Sequence, residues 1–146
     1  SNSYLFFELQ KFDFSIKKQL NSPKKIYLID PVFNRVSGLN FSMNKGKVLE
    51  NIVFIELKRR GEEVYYYSNK SECDFVIKSG IRITEAIQVC QVLNESDKER
   101  EVNGLLEAMS EFKLVTGLIL TQEQEDELRI KGKTIKVLPV WKWLLS

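Results

Sequence analysis

Histidine is absent from the 146 residues, and its absence removes several kinds of active site at once. Ser-His-Asp and Cys-His catalysis both need an imidazole base, so neither can be assembled within this chain. Histidine-ligated metal sites are excluded for the same reason. The two cysteines, Cys73 and Cys90, are too few for a zinc site of thiolates or for a disulfide scaffold, and they indicate a reduced, cytoplasmic chain.

Long apolar runs are also missing. No run reaches the ~18 residues of a transmembrane helix and no signal peptide opens the chain, so we expect no membrane association. The motif G-x-x-x-x-G-K-[ST] does not occur, so this chain holds no Walker A phosphate loop. The net charge of +2 does not by itself indicate a nucleic-acid partner. The chain begins Ser1-Asn2-Ser3 without an initiating methionine, which predicts a domain cut from a longer protein.

The composition that remains is that of an ordinary globular domain, with 43% hydrophobic and 29% charged residues. Two helices are predicted by apolar periodicity, at "NKGKVLENIVFIELKRRGE" and at "NESDKEREVNGLLEAMSEFK". Asn44 and Ser96 are their expected N-caps, and Gly61 follows the end of the first.

Strands are predicted between and after these helices. They lie at "EVYYYSNKS", on both sides of a Ser79-Gly80 turn, at the continuous apolar run "LVTGLILTQ", and from Thr134 to Leu138. Trp141 and Trp143 are predicted to share one strand face near the end. The element order predicts an α/β fold with a mixed central sheet flanked by helices. We expect one domain, residues 1–146, in which an N-terminal extension (1–40) packs on a core (41–146).

Polar residues stand at positions that such a sheet would bring together. Glu50 lies on the first helix, Asp74 opens the second strand, and Gln88 and Cys90 share one face of the third strand. A strict two-residue turn places Asp74 opposite Glu85, whereas a looser or bulged turn places it opposite Gln88. The sequence leaves both registers open.

Phosphodiester cleavage is one chemistry that would use this cluster. It needs oxygen ligands for Mg²⁺ and a cation near the attacking water. Glu50 and Asp74 offer two carboxylates, but Gln88 offers only a neutral amide oxygen and Cys90 offers no cation. A structural interpretation is equally available, in which Gln88 is a hydrogen-bonded core amide and Cys90 is a small buried apolar residue.

Four segments, "GKVLENIVFIELKRRG", "ECDFVI", "EAIQVC" and "KEREVNGLLEA", together resemble the domain of unknown function that follows the motor domain in many prokaryotic AAA-type ATPases. The upstream segment "PKKIYLIDPVF" fits the same family, so the resemblance covers nearly the whole chain. Members of this family resemble the PD-(D/E)XK nucleases, which implies a restriction-endonuclease-like core. The resemblance also implies that the parent chain binds ATP, outside this fragment.

The resemblance further implies roles for single residues. The first-helix glutamate of the nuclease superfamily falls on Glu50, its metal-binding aspartate on Asp74, and its E-x-K motif on Gln88-Val89-Cys90. In an active site Glu50, Asp74 and Gln88 would hold Mg²⁺, and no other cofactor is expected in this fragment. The motif has Gln88 in place of the glutamate and Cys90 in place of the lysine. We therefore expect Glu50, Asp74, Gln88 and Cys90 to form a vestigial, degenerate site.

Lys98 and Arg100, on the second helix, are the candidates for a cation that replaces the missing lysine. The function expected from the whole is that of a non-catalytic accessory module. It would serve the ATPase domain of its own chain, either by binding a further partner, which is nucleic acid or protein, or by supporting assembly. Two alternatives stay open: an active Mg²⁺-dependent nuclease, and a protein-interaction or oligomerisation domain that binds no nucleic acid.

Overall fold

The fold is built from short strands that alternate with helices along the chain. The computed structural model describes residues 6–28 and 45–146. Within these ranges the strands are β1 (Phe6–Leu9), β2 (Lys25–Leu28), β3 (Glu63–Ser68), β4 (Glu72–Ser79), β5 (Arg82–Val89), β6 (Thr116–Thr121), β7 (Asp126–Ile130) and β8 (Lys133–Pro139). The helices are α1 (Ile16–Asn21), α2 (Lys45–Arg59), α3 (Glu95–Glu111) and α4 (Val140–Leu144).

A six-stranded mixed sheet forms the centre, with the strand order β3-β4-β5-β6-β8-β7. The pairs β3-β4, β4-β5 and β7-β8 are antiparallel. The pairs β5-β6 and β6-β8 are parallel, and α3 makes the crossover between β5 and β6. The predicted α/β fold with a mixed sheet flanked by helices is therefore confirmed.

Helices cover both faces of this sheet, and strand alternation decides which side chains meet which helix. On one face, Phe54 of α2 and Trp143 of α4 share a core cluster with Ile87 of β5. On the other face, Leu105 of α3 shares a cluster with Ile119 of β6. Strand β6 is thus covered on both sides, as its continuous apolar sequence predicted.

The segment before α2 contributes to both clusters. Strands β1 and β2 pair antiparallel as a small second sheet, called here the β1–β2 sheet, and bury Leu9 and Tyr27 against α2. The chain after β1 then runs along the free edge of β3, where the backbone N–H of Phe12 donates to the Tyr66 carbonyl oxygen at 2.7 Å. The predicted boundary at residue 40 and the predicted N-cap Asn44 lie outside the described residues.

The hairpin of β4 and β5 settles the register that decides the neighbours of Asp74. Ser79 pairs with Arg82, so the turn residues are Gly80 and Ile81, and the predicted Ser79-Gly80 turn is wrong by one position. An irregularity after this turn then shifts the register, which brings Phe75 opposite Ile87. Asp74 therefore lies beside the next residue of β5, Gln88, and the alternative pairing with Glu85 is wrong because Glu85 faces Ile77.

Among the other local predictions, the glycine that follows α2 is confirmed, whereas the predicted N-cap of α3 and the predicted strand at Trp141 and Trp143 are wrong. Gly61 ends α2 with a φ of 76°, the left-handed conformation expected of a residue at that position. The N-cap of α3 is Asn94, whose side chain accepts from the Asp97 backbone N–H, and not Ser96. Trp141 and Trp143 lie in α4 and not in a strand, because Pro139 ends β8 and begins this helix. In the described ranges no helix is both long enough and apolar enough to cross a bilayer.

Glu56 links α2 to α4 through two arginines. Its carboxylate accepts hydrogen bonds from Arg59 at 2.7 and 2.8 Å and from Arg60 at 2.7 Å. Arg60 in turn donates to the Trp143 carbonyl oxygen at 3.0 Å. The hydrogen bonds from Arg59 and then from Arg60 lower the pKa of Glu56 to about 2.

Replacing Glu56 by glutamine should lower the free energy of unfolding by about 1 kcal/mol at neutral pH, because its three charge-assisted hydrogen bonds with Arg59 and Arg60 are weakened. The folded-state pKa of about 2 lies below the ordinary value of 4.5, so ionised Glu56 stabilises the fold above pH 4.5. That contribution disappears as the pH falls toward 2. Urea unfolding of both proteins across this window should show the difference shrinking, whereas a constant difference would contradict the assignment. Glu127→Gln, at an exposed carboxylate, is the control.

Candidate functional site

Three carboxylates and one ammonium group meet where the β1–β2 sheet contacts the central sheet. The carboxylates belong to Glu50 of α2 and to Glu72 and Asp74 of β4, and are called here the acidic cluster. The ammonium group belongs to Lys25 of β2, which pairs with the Glu72 carboxylate. Its Nζ lies 3.8 Å from Asp74 Oδ1. The structure thus brings Glu50 and Asp74 into one electrostatic environment.

Asp74 is largely enclosed, with 14% of its side chain exposed. Its Oδ2 accepts the backbone N–H of Val89 at 2.9 Å, so the carboxylate fastens β4 to β5. Burial, reinforced by the negative charge of Glu50, raises the pKa of Asp74 well above its ordinary value. Lys25 opposes this shift and is the cation that favours the ionised carboxylate.

Lys25 is not among the cations predicted from the sequence, Lys98 and Arg100, which both lie on α3. Burial would lower the pKa of Lys25, but the hydrogen bond to Glu72 and the charge of Asp74 outweigh burial and raise it. Its Nζ also lies 5.0 Å from the centre of the Tyr66 ring, within reach of a cation–π interaction. The available signal was strand alternation, since Lys25 and the buried Tyr27 lie on the same face of a short strand.

Tyr27 connects the β1–β2 sheet to Glu50. Its hydroxyl donates to Glu50 Oε2 at 2.5 Å, and its ring stacks on Phe54 with 4.4 Å between ring centres. Burial, together with the charge of Glu50, raises the pKa of Tyr27. The hydroxyl therefore keeps its proton and holds one oxygen of Glu50.

Gln88 is 2% exposed and uses its side-chain amide three times. Its oxygen accepts the Asp74 backbone N–H at 2.7 Å. Its nitrogen donates to the carbonyl oxygens of Glu72 at 2.9 Å and Glu101 at 3.1 Å. One side chain thus joins β4, β5 and α3, which is the arrangement of a structural core amide.

Cys90 lies on the same side of the sheet as Gln88, in the core cluster under α3, and is 9% exposed. Burial first, and then the charge of Glu101, raises the pKa of Cys90 to about 12. The thiol is therefore neutral at physiological pH and supplies neither a cation nor a thiolate. Cys73 is also a buried free thiol, and burial raises its pKa too.

The cations predicted on α3 are placed differently from Lys25. Arg100 lines a cleft of about 360 Å³ together with Asp74, Gln88 and Glu101. Its guanidinium pairs with Glu101 at 3.3 Å and with Asp97 at 3.7 Å. Within the described part of the chain no ion pair joins Lys98 to the acidic cluster. The cation in contact with Asp74 is therefore Lys25.

The predicted Mg²⁺ ligands fit a divalent ion poorly in this arrangement. Gln88 uses its amide oxygen on a backbone N–H, and Asp74 uses one carboxylate oxygen in the same way. The other oxygen of Asp74 faces Lys25, and Glu50 accepts from Tyr27. The three carboxylates of the acidic cluster are not placed so that they could share a metal ion, and no other three acidic or cysteine side chains in residues 6–28 and 45–146 are placed so either. Ligation by Glu50, Asp74 and Gln88 stays a prediction that the hydrogen bonding does not favour.

Comparison with known proteins gives a family and two relatives. A family model described as a domain of unknown function, DUF4143, matches residues 45–143. An uncharacterized protein of Methanocaldococcus jannaschii is 41% identical, with 100% of this chain and 34% of the relative covered. An uncharacterized protein of Haemophilus influenzae is 28% identical, with 99% and 34% covered. The chain spans about a third of the length of these relatives, and no solved structure matches it.

Proposed function

Because this chain belongs to the DUF4143 family, a domain of unknown function, we propose that it is an accessory module of a larger protein and acts by binding or assembly rather than by catalysis. The larger protein in this proposal is an AAA-type ATPase, and the module follows its motor domain. Support comes from the resemblance of the four sequence segments, and from the relatives, of which this chain spans about a third. ATP would be bound by the remainder of the parent chain.

The fold proposed for this module is a restriction-endonuclease-like core. A helix, three antiparallel strands, a crossover helix and a parallel strand follow one another from α2 to β6, which is consistent with that assignment. Under it Glu50, Asp74 and the segment Gln88-Val89-Cys90 occupy the positions of the nuclease residues. The fold alone does not imply the activity, so the function has to be argued from the side chains.

The amide of Gln88 is the observation that carries the non-catalytic proposal. A nuclease at this position needs an oxygen free to bind a metal ion, together with a lysine two residues later. The side-chain amide of Gln88 instead makes three hydrogen bonds, which join β4, β5 and α3. Cys90 provides a neutral, buried thiol. Each catalytic group of this kind contributes roughly 10²–10⁴-fold to rate, so replacing two removes most of a nuclease's advantage.

A plasmid-nicking assay in Mg²⁺ and in Mn²⁺ tests this proposal. The chain and its Asp74→Ala variant are both expected to nick supercoiled plasmid no faster than buffer alone. Asp126→Ala, which removes an exposed carboxylate from β7, controls for contaminating nuclease. Cleavage by the unmodified chain that persists in Asp126→Ala and vanishes in Asp74→Ala would establish the nuclease alternative.

Between protein and nucleic acid, the exposed apolar surface favours protein as the partner. Phe6 and Ile26 lie on the outer face of the β1–β2 sheet and are 53% and 63% exposed. Trp141 of α4 is 58% exposed. Large apolar side chains of this kind are typical of protein contact surfaces, whereas a net charge of +2 gives little general attraction for phosphates.

A further inference from the structure

Lys25 approaches the acidic cluster from outside the central sheet. It belongs to the β1–β2 sheet, whereas Glu72 and Asp74 belong to β4. Its Nζ pairs with Glu72 and lies 3.8 Å from Asp74 Oδ1, and 24% of the lysine side chain is exposed. A single ammonium group therefore joins the small sheet to two carboxylates of the large one.

The other contacts of β2 position Lys25, but none of them brings a positive charge that could neutralise Asp74. Asn51 of α2 accepts the backbone N–H of Leu28 at 2.9 Å and donates to the Leu28 carbonyl oxygen at 2.5 Å. Tyr27 donates to Glu50 and stacks on Phe54. These contacts lie two and three residues beyond Lys25, at the end of β2, and none of them supplies a positive charge. They orient the strand so that Lys25 points at the cluster.

We propose that Lys25 is an electrostatic clasp, which keeps the β1–β2 sheet closed over Asp74 by neutralising this buried carboxylate. The sheet is then a strap that its buried side chains and hydrogen bonds hold in place, and the charge of Lys25 stabilises its closure over Asp74. This inference goes beyond the proposed function and does not depend on whether the parent chain hydrolyses ATP or whether this site cuts DNA.

Lys25 is expected to keep the strap closed because an unpaired buried charge destabilises the closed arrangement. At a pH where Asp74 is ionised, removing Lys25 leaves a carboxylate that has lost its counter-charge and has not regained water. Asp74 stays fastened to Val89 and borders the cleft lined by Arg100, and lifting the strap removes its cover on the side of Lys25 and increases its hydration. Glu72 has no such need, because 48% of its side chain is already exposed.

Amide hydrogen exchange followed by mass spectrometry tests the clasp. In Lys25→Met, the amides of residues 6–28 are expected to exchange faster by on the order of tenfold, while those of β6 and β8 keep their protection. Lys24→Met is the matched control. It removes the same charge one residue away, from a lysine that pairs with Glu8 at 3.6 Å, and it should leave exchange unchanged.

The double variant Lys25→Met/Asp74→Asn separates the clasp from simple packing. Asparagine keeps an oxygen for the Val89 N–H and carries no charge, so the strap should close again and protection should return. Because the double variant contains no unpaired charge at Asp74, it is informative even if Lys25→Met unfolds completely. Equal exchange in Lys25→Met and Lys24→Met, or failure of Asp74→Asn to restore protection, would overturn the clasp. Plasmid nicking would overturn only the non-catalytic role.

Discussion

Gly104→Ala is expected to lower the free energy of unfolding by about 3 kcal/mol or to prevent folding, because α3 has no room for a methyl group there. A Cβ on Gly104 would lie 2.6 Å from Gln88 Nε2 and closer still to the Glu72 carbonyl oxygen. The carbonyl belongs to the backbone of β4 and cannot rotate away. The loss would occur although alanine is favoured over glycine within a helix by about 1 kcal/mol.

Urea unfolding of Gly104→Ala beside Gly46→Ala measures this effect. Gly46 lies in α2, where a Cβ would meet only the backbone nitrogen of Gln91 at 4.0 Å, which is ordinary contact. Gly46→Ala should therefore leave stability unchanged or raise it slightly. Equal stability of the two variants would mean that α3 does not approach β4 as closely as described.

Gln88→Glu, which introduces the glutamate of the proposed nuclease motif, is expected to destabilise the chain by about 3 kcal/mol at neutral pH. The substitution replaces the donating nitrogen by an oxygen that faces the carbonyl oxygens of Glu72 and Glu101. Two hydrogen bonds are lost, and a buried negative charge is introduced among acceptors. A glutamate at position 88 would thus damage the fold before it could serve as a metal ligand.

The pH dependence of this variant has a definite sign. Burial among acceptors raises the folded-state pKa of the new carboxyl group above its unfolded value of about 4.3. The folded protein then holds the proton more strongly, so the variant loses stability relative to wild type as pH rises from about 4 toward neutrality. Below that range the protonated carboxyl can donate one hydrogen bond, and part of the loss should be recovered.

Chemical unfolding at acidic and at neutral pH checks both the size and the sign. Gln91→Glu is the control, because the Gln91 amide makes an exposed hydrogen bond to Gln122 and can be hydrated when it is changed. A stable Gln88→Glu at neutral pH would contradict the three-way amide junction. A Gln88→Glu that gained Mg²⁺-dependent plasmid nicking would show that the site needs only its carboxylate.

The order of the central elements could be predicted from the sequence because each carries a strong periodic signal. Residue-level detail could not, where two equally suitable residues competed. Asn94 and Ser96 are both good N-caps, and the structure uses Asn94, to which the Ser96 hydroxyl donates at 2.7 Å. Trp141 and Trp143 alternate like a strand, but packing of Trp143 against α2 and the stop at Pro139 favour a helix.

The sequence could indicate which site residues are neighbours within the β4–β5 hairpin. It could not indicate which residues of the β1–β2 sheet contact them. Asp74 and Gln88 lie beside each other because a bulge follows the β4–β5 turn, a possibility that the sequence raised without deciding it. Strand alternation places Lys25 on the same face of β2 as the buried Tyr27, but nothing in the spacing between residues 25 and 74 shows that β2 packs over β4. Non-local placement of this kind is set by the tertiary fold.

The parallel pairing of β5 with β6 has a consequence for the way the chain folds as it is synthesised. When residues up to Gln88 have emerged, β5 can pair with β4, but its other edge has no partner until β6 has followed α3. Gln88 likewise waits for the Glu101 carbonyl oxygen. A nascent chain therefore exposes an apolar strand edge for the length of the crossover, and misfolding is expected to begin at this edge if α3 docks slowly.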